Sequence, residues 1–139
     1  MARAVAPGRE TRLWAQLTDP DPEVREHVLE QFSGRRDPRS LELLEEYLAR
    51  EPDPDLKARA LELLEEAGPR AASALARGLS DPSPEVRERA VEALETVGGA
   101  ESVALLWAAH AREGDPDVAE TILDALEILG EDVEAFREP

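Results

Sequence analysis

Only a few side chains in this 139-residue sequence could do chemistry, and their spacing withholds it from most of them. The two imidazoles are His27 and His110. His27 stands in Glu26-His27-Val28 and His110 is followed by Ala111, so no His-Glu dipeptide supplies neighbouring ligands for a metal. Adjacent carboxylates occur at Glu45-Glu46 and Glu65-Glu66. Successive residues on a helix point about 100° apart, so these pairs read as solvated faces and not as an acid and base sharing one substrate. No serine lies in a Gly-x-Ser-x-Gly elbow. Gly98-Gly99 lacks the Lys-Ser/Thr that completes a phosphate loop, which leaves it a turn. The absence of cysteine removes disulfides, thiol nucleophiles and thiolate-held zinc. These residues predict no catalytic site, no metal and no cofactor.

Charge narrows the partners. Thirty-two acidic against sixteen basic residues give a formal charge of −16. Such a chain repels phosphate backbones and anionic lipid surfaces, and it suits a basic protein partner or plain solubility. Arg35, Arg36 and Arg39 are a local exception, clustered in one loop. The first ten residues have no apolar run behind their arginines, and no stretch approaches the roughly 18 apolar residues a membrane helix needs. A soluble cytoplasmic protein is the expectation.

The elements that must position these residues come from an internal repeat. Asp19-Pro-Asp-Pro-Glu-Val-Arg25, Glu51-Pro-Asp-Pro-Asp-Leu-Lys57, Asp81-Pro-Ser-Pro-Glu-Val-Arg87 and Glu113-Gly-Asp-Pro-Asp-Val-Ala119 align on Val24, Leu56, Val86 and Val118. The anchor spacings are 32, 30 and 32 residues. In each, Asp21, Asp53, Ser83 or Asp115 is a good N-cap, followed by Pro22, Pro54, Pro84 or Pro116 at the first helical position. Acids just behind the proline suit the positive helix end. Apolar residues then recur every three to four positions, as in Val86, Ala90, Ala93, Leu94 and Val97, which predicts a helix, here termed B. A shorter A helix precedes each, at about 11–17, 40–50, 69–79 and 101–111. Four units follow, at about 11–33, 40–66, 69–97 and 101–129. A flexible segment at 1–10 and a short cap at 131–139, with Val133 and Phe136 over the end of the stack, complete the expected organisation. One such hairpin cannot bury its apolar stripe alone, but four stacked hairpins can.

On Asp19…Val24-Arg25, Glu51…Leu56-Lys57 and Asp81…Val86-Arg87, the chain resembles the HEAT-like repeat family, including the short bacterial repeats of phycobilin-lyase-type proteins. The resemblance implies an all-α, right-handed α-solenoid of about four stacked helical hairpins, with B helices on the concave side. It also implies an ion-pair ladder drawn from Asp19/Arg25, Glu51/Lys57 and Asp81/Arg87. Ala119 breaks the series and marks the fourth unit as a terminal one. Related di-iron hydroxylases carry His-Glu pairs and related DNA glycosylases a basic concave face; this sequence has neither.

If the B helices are concave, their non-core positions form rows. Glu26, Ala58, Glu88 and Glu120 make one, and Glu30, Glu62, Glu92 and Asp124 a second. Glu65, Glu95 and Glu127 extend it, with Ser33 equivalent in the first unit. The expected function is a non-catalytic scaffold holding a basic peptide or protein surface against these acids. The alternatives are a phycobilin-lyase-like enzyme or chaperone, which rests on the resemblance alone, and a self-assembling subunit joined through the solenoid ends near Trp14 and Phe136. Trp14 and Trp107, on the first and last A helices, fit either core plugs or interface anchors.

Overall fold

The computed structural model describes residues 9–137, with side chains from Arg12 onward. Eight α-helices alternate as A and B partners, and no strand occurs among the described residues. The A helices are α1 (Arg9–Leu17), α3 (Pro38–Arg50), α5 (Ala72–Leu75) and α7 (Gly99–Arg112). The B helices are α2 (Pro22–Leu29), α4 (Pro54–Glu66), α6 (Pro84–Val97) and α8 (Pro116–Ile128). The segment expected to be a flexible lead-in lies, up to residue 8, outside the described residues.

Every B helix starts as its local sequence dictates. The Asp21, Asp53 and Asp115 carboxylates accept the backbone N–H of Glu23, Asp55 and Asp117, and the Ser83 hydroxyl accepts that of Val86. The following proline occupies the first turn, where its missing N–H costs nothing. A cap of this kind is worth about 1 kcal/mol. Asp37, before Pro38, caps α3 in the same way through Ser40 N–H.

One A helix departs from its expected form. The pattern predicts a continuous helix at 69–79, but the structure keeps only α5, flanked by 3₁₀ turns at Gly68–Ala71 and Ala76–Ser80. Gly78, in the second turn, explains part of this: a Cβ there would stand 2.8 Å from the Ala90 Cβ of α6. The third A segment presses closer to its B helix than regular side chains permit, and the tighter 3₁₀ winding serves that approach.

A single core runs the length of the stack. It is built from leucines and alanines, among them Leu29, Leu44, Leu64, Leu75, Leu94 and Leu126, all sealed from solvent. From the second unit onward, successive B helices pack on one another more extensively than successive A helices do. Among the described residues, no helix is long and apolar enough to cross a membrane.

Candidate protein-binding face

Two sets of charged residues link the units, one buried and one exposed. The buried set lies along the turns between A and B helices. Arg25 donates through Nε and Nη2 to Glu51 Oε1 and Oε2 at 2.8 and 3.0 Å. Arg87 grips Glu113 in the same bidentate way at 2.9 and 3.0 Å, and Lys57 Nζ donates to Asp81 Oδ1 at 2.6 Å. Each cation therefore reaches the acid of the following unit. This corrects the pairing within units expected from the sequence. Arg25 and Arg87 touch their own unit only through backbone, donating to the carbonyls of Asp19 and Pro20 and of Asp81 and Pro82. The Asp19 carboxylate holds Asp21 N–H and no cation.

The first rung is the most enclosed. Glu51 is 4% exposed, and the Tyr47 hydroxyl donates to its Oε1 at 2.5 Å while Asp53 N–H donates to Oε2. Burial pushes the Glu51 carboxyl up, but the bonds from Arg25, Tyr47 and Asp53 outweigh it and hold it below the ordinary carboxylate range. Glu113 behaves alike, with burial opposed by Arg87 and Asp115 N–H. These groups are fully engaged with one another, and their work is cohesion. Glu113 completes the ladder but was absent from the sequence-derived set, because Ala119 hid the motif's charge pattern.

The exposed set lies on the B helices, where the acidic rows fall. Glu26, Glu30, Glu62, Glu92, Glu120, Asp124 and Glu127 are exposed, and Glu88 and Glu95 are half-buried. The sequence reading missed that arginines interleave with them. Arg59 forks onto Glu30 of the preceding unit at 2.6 and 2.7 Å and stands 3.8 Å from Glu62 of its own. That contact holds Glu30 below its usual range. Arg89 reaches back to Glu65 at 3.3 Å. At the end of the stack Arg137 donates to Asp124 and Glu127 at 2.9 and 3.0 Å. A signal for the first two was present: three residues past each anchor the chain reads His27, Arg59, Arg89 and Thr121, a row as regular as the acidic ones.

Among the described residues of these rows, the acids that keep no cation are Glu26 on α2 and Glu88, Glu92, Glu95 and Glu120 on α6 and α8. Neighbouring helices sit about 8–10 Å apart. At that distance two carboxylates repel by roughly 0.4 kcal/mol in water and about 2 kcal/mol near a protein surface. A cation placed between them relieves that repulsion.

The remaining candidates find structural places. Trp14 is half-buried beneath the Arg50 guanidinium, which lies 5.6 Å from its ring centre. Trp107 is half-buried and donates Nε1–H to Glu131 at 2.9 Å, while Phe136 packs against its ring. His110 meets both rings edge-on, and His27 is exposed. No cluster of metal-ligating side chains occurs among the described residues. The chain reverses over the last helix at Gly130, whose φ of 92° is one a side chain would resist. Residues 131–137 then fold back, with Val133 buried and Phe136 half exposed at 52%.

Comparison with known proteins agrees with this architecture. A family model described as HEAT repeats matches residues 10–65 and 41–127. No curated protein matches the chain. Repeats of this family are typically non-catalytic and generally serve as protein-interaction scaffolds. With matched units spanning most of its length and stacked helical hairpins throughout, the chain belongs to the HEAT-repeat family.

Proposed function

We propose that the chain is a non-catalytic, soluble protein-binding module whose acidic B-helix face holds a basic peptide or protein surface. One observation carries this reading: the carboxylates of Glu88, Glu92, Glu95 and Glu120 gather on neighbouring B helices without a cation, whereas the buried ladder of the same chain is fully paired. Unpaired acids repel one another, and a partner bringing Lys or Arg gains from both attraction and relief of that repulsion. Exposed charges are screened over about 8 Å at physiological ionic strength, so the association is salt-sensitive.

Capture of partners on the immobilised chain at low and high salt tests the reading. Basic proteins are retained at low salt, released at high salt, and lost from a chain carrying Glu62→Lys with Glu92→Lys. Retention that ignores salt, or survives the double reversal, refutes it.

A further inference from the structure

Building on that reading, we infer that Glu92 and Glu95 form a vacant seat for the arginine side chain of a partner. The argument comes from the other three units. Six and nine residues past its anchor, each unit presents Glu30 and Ser33 (in and just past the 3₁₀ turn Glu30–Phe32 that follows α2), Glu62 and Glu65, Glu92 and Glu95, or Asp124 and Glu127. In three of the four units a guanidinium from a neighbouring segment sits on at least one acid of this pair. Arg59 occupies Glu30, Arg89 occupies Glu65, and Arg137 occupies Asp124 and Glu127 together. These arginines arrive from different structures, two from the next B helix and one from the folded-back segment after Gly130. The position thus recognises a guanidinium by the acids themselves, whatever backbone delivers it.

The third unit alone has the acids without the arginine. Thr121 stands where Arg59 and Arg89 stand in their units, and its hydroxyl is turned away onto the Asp117 carbonyl of its own helix at 3.0 Å. The nearest arginine on α6, Arg89, points to the preceding unit. Glu92 is exposed and Glu95 half-buried, and neither is paired. Glu88 and Glu120 flank them and raise the local negative charge. Arginine suits the seat better than lysine, because its planar fork meets two oxygens at once, as Arg59 does on Glu30.

The test uses the full chain and fluorescent oligo-arginine and oligo-lysine peptides, read by anisotropy at low salt. Oligo-arginine binds more tightly than oligo-lysine. Glu92→Gln with Glu95→Gln weakens oligo-arginine by about tenfold, the scale of a lost charge-assisted contact. Thr121→Arg, which delivers the missing guanidinium from within, weakens it by about the same factor. Ala104→Arg adds an equal charge on an exposed A-helix position and changes affinity by about twofold or less. Equal weakening by Thr121→Arg and Ala104→Arg means that net charge alone governs binding, which overturns the seat but leaves the broader proposal standing. Failure of both peptides to bind overturns the broader proposal and the seat with it. Should Thr121→Arg misfold, as circular dichroism would show, the paired glutamine variant decides alone.

Discussion

The turn edge and the B-helix face use the same pairing, arginine on carboxylate between successive units, and differ in how much water surrounds it. At the edge, Arg25 and Glu51 are nearly sealed, and the carboxylate's neighbours include a tyrosine hydroxyl and a backbone N–H. On the face, Arg59 and Glu30 are joined as closely but stand 31% and 47% exposed. A buried pair must be complete, since a lone charge there is intolerable; an exposed row tolerates gaps. The gaps are where binding becomes available.

Removing one half of a buried rung is the harshest test of this contrast. Arg25→Met leaves Glu51 buried with its main cation gone and costs about 3 kcal/mol, a fall of roughly 10 °C in thermal midpoint by calorimetry. Acid comes next. Glu51 and Glu113 have native-state values below the unfolded glutamate value near 4.3, so their contribution is present above that pH and lost as pH falls through the depressed native values. Urea titrations should show stability dropping below about pH 4, and Arg25→Met should flatten much of that drop. On the face, Arg59→Ala costs less than about 1 kcal/mol, the usual scale of an exposed pair. A cost near that of Arg25→Met would erase the distinction between the two regions. Smallest of all, Glu92→Gln leaves the thermal midpoint essentially unchanged, or raises it slightly by easing repulsion with its acidic neighbours.

What could be read in the sequence was local. Asp53-Pro54 and Asp115-Pro116 specify a helix start within three residues, and the structure follows them at every B helix. The cations of the ladder and two of its acids, Glu51 and Asp81, were equally visible, but Glu113 and the register of the pairing were not. Arg25 is six residues from Asp19 and twenty-six from Glu51, and only the stacking of units makes the distant acid the nearer one. The same reason hid Arg137, which meets α8 because the chain turns at Gly130. The broken third A helix depends on the approach of Gly78 to Ala90, which no single-helix pattern records. On the face, the acids were legible as rows, while their neutralisation by Arg59 and Arg89 required knowing which helices touch.

The forward reach of the buried cations gives the stack a plug at one side of each unit and a socket at the other. Arg25, Lys57 and Arg87 are plugs; Glu51, Asp81 and Glu113 are their sockets. Units with matched fittings are interchangeable parts: a copy of the second or third could be spliced between internal neighbours with every connection made. Extending the series past α8 would first require a cation at Ala119, where the plug is missing. Lengthening this protein from the middle is therefore easier than lengthening it from that end, a bias set by one methyl side chain.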